Sequence, residues 1–324
     1  MESTRRTFLT LTAAGLAAPA LINAKPSLAK AQKKGKQITG VYTHQVGNFE
    51  VTALLDGALL LSPDWVVGYD EAKAADAFAN QHLPAQPSGH AIPVNGYLVN
   101  TGEKLIAIDC GTTDDFTPTT GNYHKSLAQA GVTPDQIDHI ITTHLHVDHI
   151  GGLIDAHGAA IFPNADVITN QTEWDFWHDD TILAQADDAF KGFINIARTR
   201  TAPYSDRITL AKTDAEIVNG IELVSLPGHT PGHIGVHLRS EGEELLIWGD
   251  IIHAPKLQFE NPDWALAFDV DQNTAKATRA RLLDRVATDK VMVTGMHMDF
   301  PGFGHVVRKG DQYQFEAAAW DYNI

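Results

Sequence analysis

Residues 142–152 read TTHLHVDHIGG and place three imidazoles (His144, His146, His149) and the carboxylate of Asp148 within six positions. Four side chains that ligate divalent metals, packed this tightly, point to a metal site. The preceding IDHIITT is β-branched and apolar, as a buried strand ending at Thr143 is. Gly151 and Gly152 follow and permit a sharp turn. The donors therefore sit on a loop at the carboxyl end of a strand, the place where α/β folds build sites. A surface loop that binds metal by accident accounts for neither the buried strand nor the distant partners described next.

Those partners repeat one arrangement. GHTPGH sets His229 and His233 in a Gly/Pro-rich turn after the apolar run IELVSLP. LLIWGDII ends an apolar strand and presents Asp250, and VMVTGMHMDFPGFGH ends another at Thr294 and presents His297. A lone Asp after a strand is usually a turn or helix cap. Together with HxHxDH, the same residue reads as a ligand. Eight candidate donors, or seven with His233 set aside, exceed what one tetrahedral zinc accepts and suit two metals sharing a bridge.

Composition bounds the partners. The 324 residues are 44% hydrophobic, enough for a substantial core in one domain. The 24 basic and 40 acidic residues give a formal net charge of −16, which argues against nucleic acid or an anionic membrane as partner. The expected partners are a small-molecule substrate and, at most, a second copy of the chain in a homodimer. Residues 1–24 read as an export signal to be kept out of the fold. Arg5–Arg6 before Thr7–Phe8–Leu9 and an Ala/Leu stretch resemble the twin-arginine type, with Thr10 where Lys is common. A periplasmic or secreted location follows, with no membrane segment in the mature form. Residues 25–38 read as a flexible Lys/Ala/Gln-rich linker. Cys110 is the single cysteine, so no intramolecular disulfide forms, and it reads as a buried filler rather than a reactive thiol.

Residues 39–324 read as a single α/β domain in two halves. GVYTHQV, FEVTALLDG, 94–99 and 104–109 are strands, and NYHKSLAQAG is a short helix ending at Gly131. VIT, IELVSL, GVHLR, LLIWGD and KVMVTG repeat the strand pattern, with a helix from about Thr274 to Ala287. A helical, aromatic-rich insertion is expected at about 171–210. His305 receives no assignment, and His44, His82, His90, His124 and His157 read as surface residues.

The set HxHxDH with separate His, Asp and His positions resembles the metallo-β-lactamase superfamily of hydrolases. The closer resemblance is to its methyl parathion hydrolase and lactonase branch. It runs from GNFEVTALLDG through NGYLVNTGEKLIAIDCG, THLHVDHIGG, TEWDFW, KGF, GHTPGH and WGD to HMDFPGFGH. The resemblance implies the αββα sandwich and a dinuclear hydrolase with two divalent ions, zinc by preference. It implies that His144, His146 and His229 hold one ion, that Asp148, His149 and His297 hold the other, and that Asp250 bridges. A hydroxide shared by the metals is then the nucleophile, and Asp148 is the candidate acid for the leaving group. It places Asp56 behind the ligands as an acceptor for an imidazole N–H, with a plain turn Asp before Gly57 as the competing reading, and leaves His233 as a supporting rather than a ligating residue. Phe116, Trp177 and Phe193 match its aromatic pocket residues, against the alternative that they are helical core. Tyr204 is not assigned the role of the lactonase tyrosine. Substrates implied are small apolar esters, lactones or organophosphate triesters. A glyoxalase-II-like thioesterase and a mononuclear-iron oxygenase on the same fold are the alternatives.

Overall fold

Period-two alternation decides which layer each side chain enters. In the strand Phe49–Leu61, Val51 and Ala53 point into one hydrophobic layer and Leu54 into another. The computed structural model describes residues 40–113 and 116–322. The export signal and linker expected over residues 1–38 lie outside the described residues.

The first sheet has seven strands in the order β1 (Val41–Val46), β2 (Phe49–Leu61), β4 (His90–Asn100), β5 (Leu105–Ile108), β6 (His139–Ile141), β7 (Asp166–Asn170) and β8 (Ile208–Ala211). β3 (Val66–Val67) pairs separately with β13 (Ala265–Leu266). The second sheet also has seven, in the order β16 (Gln312–Ala317), β15 (Gly304–Lys309), β14 (Met292–Thr294), β12 (Glu243–Ile247), β11 (Ile234–Ser240), β10 (Ile221–Ser225) and β9 (Ala215–Val218). Between the sheets, Tyr97, Ile106, Ile108, Ile141 and Ile168 meet Leu223, Val236, Leu245 and Ile247. Each such large side chain, fully buried, contributes roughly 1.5–3 kcal/mol. On the outer face of the first sheet, Leu98, Ile140 and Val167 pack with Leu127 of helix Tyr123–Gln129 and Ile194 of helix Asp188–Thr201. On the outer face of the second, Leu246 and Val293 pack with Leu282, Leu283 and Val286 of helix Gln272–Asp289. Helices, two sheets and helices therefore stack in the expected αββα order.

Strand direction positions the site. β5, β6 and β7 pair in parallel, as do β12 and β14. Their carboxyl ends converge on one edge, where Asp109, His144–His149, Asp250 and His297 follow β5, β6, β12 and β14. β10 runs antiparallel to β11, and β11 to β12, so the loop carrying His229 opens on the same edge.

Some elements depart from expectation. The helical insertion comprises Gln171–His178, Asp180–Gln185 and Asp188–Thr201, then a 3₁₀ turn at Ala202–Tyr204. Its expected last residues instead open β8, which pairs in parallel with β7. The hairpin β15–β16, turning at Gly310 with φ 63, extends the second sheet beyond the expected strands. His90 is buried against Phe78, with ring centroids 5.6 Å apart, rather than on the surface. No helix among the described residues is long and apolar enough to cross a membrane.

Candidate metal centre and pocket

The centre begins with an unusual backbone. Asp109 adopts φ 56, a left-handed conformation that non-glycine residues rarely hold. Three hydrogen bonds fix it there. Its carboxylate accepts from Thr143 N and Thr143 Oγ1, both at 2.7 Å, and lies 2.6 Å from His149 Nδ1. The loop after β6 is thereby tied to the end of β5.

The donors then converge. His144 Nε2, His146 Nδ1 and His229 Nε2 form a triangle with edges of 2.9, 3.0 and 3.1 Å. Asp148 Oδ2 lies 3.6 Å from His149 Nε2 and 3.5 Å from His297 Nε2. Asp250 Oδ2 sits between the two groups. It is 3.7 Å from His144 Nε2, 3.4 Å from His229 Nε2, and 3.2 Å from both His149 Nε2 and His297 Nε2. His149 Nε2 and Asp250 Oδ1 are buried and make no hydrogen bond. Buried polar atoms are nearly always satisfied, so converging, unsatisfied imidazole and carboxylate atoms fit two divalent cations.

Three of the imidazoles, His149, His229 and His297, are oriented from behind. His229 Nδ1 lies 2.8 Å from Asp269 Oδ1, and His297 Nδ1 lies 2.7 Å from the Pro93 carbonyl. A carbonyl only accepts, so His297 carries its proton on Nδ1 and turns the lone pair of Nε2 inward. His233 is likewise fixed, with Nδ1 donating to Leu226 O at 2.8 Å and Nε2 accepting from Asp250 N at 2.9 Å. It steadies the backbone of Asp250 and stands outside the donor set. The acceptor role expected of Asp56 belongs instead to Asp109 and Asp269. Asp56 lies on a β-bulge of β2 and accepts from the backbone of Thr112, Gly121 and Tyr123. It organises the loop beside the centre without touching a ligand ring.

Electrostatics separates the two groups. Burial pushes His144 and His146 well below the ordinary imidazole value, so both are neutral. Burial also acts on His149, but Asp250, Asp148 and Asp109 outweigh it and hold this imidazole well above the ordinary value. Burial disfavours the Asp250 carboxylate, yet His149, His297, His253 and His144 together keep it well below the usual carboxylate range.

Above the donors opens a cavity of about 380 Å³. Leu59, Ile92, Phe116, Val147, Phe193 and Phe268 supply apolar wall, and no lysine or arginine lines it among the described residues. Phe116 and Phe193, two of the three expected pocket aromatics, line this cavity. Trp177 does not: it is fully buried, packs edge-on behind His146 at 5.4 Å, and gives its indole N–H to Glu173. Tyr204 is buried elsewhere, donating to Leu153 O. Sequence reasoning missed His253, whose Nε2 lies 3.1 Å from Asp250 Oδ2 and whose ring lines the cavity. Its position three residues after Asp250, past the end of the strand, was the available signal. Asp269, in AFDVD, had no comparable signal.

Comparison with known proteins agrees with this geometry. The Metallo-beta-lactamase superfamily profile matches residues 91–297, a span that holds every donor named above. The N-acyl homoserine lactonase AiiA of Bacillus thuringiensis subsp. kurstaki is 27% identical over 221 residues, covering 62% of this chain and 80% of that protein. The crystal structure of the hydrolase AbOPH, in the beta lactamase superfamily, is 31% identical with a TM-score of 0.83, covering 88% of this chain and 100% of that one. AidC, a dizinc quorum-quenching lactonase solved with a product homoserine, is 25% identical with a TM-score of 0.81 and the same coverage.

Proposed function

Because the chain belongs to the metallo-beta-lactamase superfamily and is a metal-dependent hydrolase of that kind, we propose that it opens lactones and cleaves small apolar esters, with organophosphate triesters as secondary substrates. The observation that carries this reading is the position of Asp250 Oδ2, within 3.2–3.7 Å of two imidazoles from each side of the centre.

His144, His146 and His229 would hold one divalent ion and Asp148, His149 and His297 a second, with the Asp250 carboxylate within reach of both groups. Zinc suits such nitrogen-rich, oxygen-completed donors. When bound, the pair supplies Lewis acidity and an activated water. The chain supplies the rest. Asp109, Asp269 and the Pro93 carbonyl hold the imidazoles in place, which keeps the cost of reorganisation low during reaction. Phe116, Phe193 and Phe268 bury the apolar part of the substrate and exclude water from it. Asp148, which lines the cavity, would take up the proton that the attacking water gives up and pass it to the leaving oxygen. The absence of cationic side chains from the described wall favours uncharged substrates. The lactonases among the relatives support ring-opening as the first activity to test.

The test is a panel on zinc-loaded protein: γ-lactones, N-acyl homoserine lactones, paraoxon-type triesters, p-nitrophenyl acetate, nitrocefin and a glutathione thioester. Lactone or aryl-ester turnover with little nitrocefin cleavage is expected. Turnover confined to the thioester, or oxygen consumption by an iron-loaded form without hydrolysis, overturns the reading. The Arg5–Arg6 pair supports export by the twin-arginine route. Replacing both with Lys is expected to retain uncleaved protein in the cytoplasm, as fractionation will show; normal delivery of that variant sinks the proposal.

A further inference from the structure

Glu173 is completely buried, carries a charge when ionised, and takes no part in the donor set. It sits in the first turn of helix Gln171–His178, at the start of the insertion. Each of its oxygens accepts two hydrogen bonds. Oε1 accepts from Leu145 N at 3.0 Å and Trp177 Nε1 at 2.6 Å. Oε2 accepts from Thr230 Oγ1 at 2.6 Å and Gly232 N at 3.0 Å. Leu145 lies between His144 and His146, and Thr230 follows His229. One carboxylate therefore grips both loops that bring the three-histidine triangle together, while Trp177 from its own helix backs His146.

The backbone is shaped to allow it. A Cβ on Gly232 meets Glu173 N at 2.1 Å and Glu173 Cα at 2.5 Å, so only glycine lets the second loop approach the helix this closely. A buried carboxylate is costly unless its acceptors are filled, and here four donors fill them. Packing alone could be served by an apolar side chain. Four donors converging from two ligand loops and a helix could not.

We propose that Glu173 is a positioning residue of the His144–His146–His229 site, coupling the insertion helix to the occupancy of that site. The inference rests on the assignment of one ion to those three histidines. The remaining site is supported from other residues, Asp109 and the Pro93 carbonyl, so the effect of Glu173 is local to one ion.

Glutamine is the informative substitution. It has the size of glutamate, but its amide nitrogen faces two donors and accepts from neither. Loading full-length protein with cadmium-113 is expected to give two resonances, one of them from the nitrogen-rich triangle. Under chelator competition, Glu173→Gln should release that ion about 10–100-fold more readily, the range typical of residues that orient ligands. The other resonance should hold its wild-type affinity. Thr230→Val removes a single bond to Oε2 and should shift the same resonance by a smaller factor, which keeps the proposal testable if Glu173→Gln fails to fold. Unchanged affinities in both variants, or loss of both ions in step with a fall in Tm, overturns the positioning role. A wild-type protein that takes up only one cadmium defeats the dinuclear assignment instead, and Glu173 is then judged on that single resonance.

Discussion

The floor and the mouth of the cavity are built on opposite terms. On the floor, His149, His229 and His297 are each held from behind by an acceptor within 2.9 Å. At the mouth, Leu60, Trp65, Phe116 and Phe193 are 37–62% exposed and contribute aromatic and aliphatic surface. Hydrogen bonds have narrow geometry, and apolar contacts do not. The floor therefore fixes one chemistry, while the mouth accepts a range of shapes. A scissile group is placed to fractions of an ångström by the centre, and the remainder of the substrate is only kept dry.

Substitutions on the two regions should separate accordingly. The largest effect is expected at Asp250. Asp250→Asn should lower kcat/KM by about 1,000-fold or more, beyond the 10–100-fold typical of supporting residues, and deplete both ions by elemental analysis. Near-normal activity and metal content would show that Asp250 does not bridge. Next come the carboxylates behind the rings. Asp109→Asn and Asp269→Asn should each weaken metal retention by about 10–100-fold, the first at the His149 side and the second at the His229 side. Asparagine tolerates the left-handed backbone of position 109, so the substitution tests the carboxylate rather than the fold. Equal loss at both sides in either variant would erase the distinction between them.

The mouth should respond differently. Phe193→Ala removes a partly exposed ring and should raise KM for aryl substrates about 3–10-fold while metal content stays at the wild-type level. A fall in metal content without a change in KM would place Phe193 on the floor instead. The smallest effect concerns His90, near the cavity wall formed by Ile92. Burial lowers it to about 4 from 6.5, so the unfolded chain binds its proton first as pH falls. Its share of stability is complete above about pH 6.5 and is lost as pH falls toward about 4. Tm measured against pH should show a shallower decline in His90→Leu; parallel curves would mean that His90 is protonated alike in both states.

This contrast also explains what was readable in advance. The donors follow apolar strands, so periodicity located them and residue type named their chemistry: His144, Asp250 and His297 need only local sequence to be seen. Asp109, Asp269 and Glu173 matter through contacts 40, 40 and 28 to 59 positions away, which no local pattern encodes. Trp177 shows the same limit from the other side. Its aromatic neighbourhood suggested a pocket wall, but the acceptor on Glu173 turns the indole inward. Asp56 before Gly57 was compatible with a ring acceptor or with a turn, and the bulge in β2 decided for the backbone. Strand and helix order gave only a layered α/β domain and the resemblance implied the αββα sandwich, whereas the β15–β16 hairpin depended on pairing with β14.

The direction of the strands has a practical consequence. Every donor loop opens on one edge, so the turns Asn100–Lys104, Glu241–Gly242 and Gly310–Asp311, which join neighbouring antiparallel strands, fall on the opposite edge. Gly102, Gly242 and Gly310 hold left-handed backbones that other residues rarely adopt, so the side chains to replace are the exposed neighbours Glu103 and Asp311. These are attachment points for a linker to a bead or electrode: anchored there, the enzyme faces the solution with its cavity unobstructed and the full set of donor loops untouched.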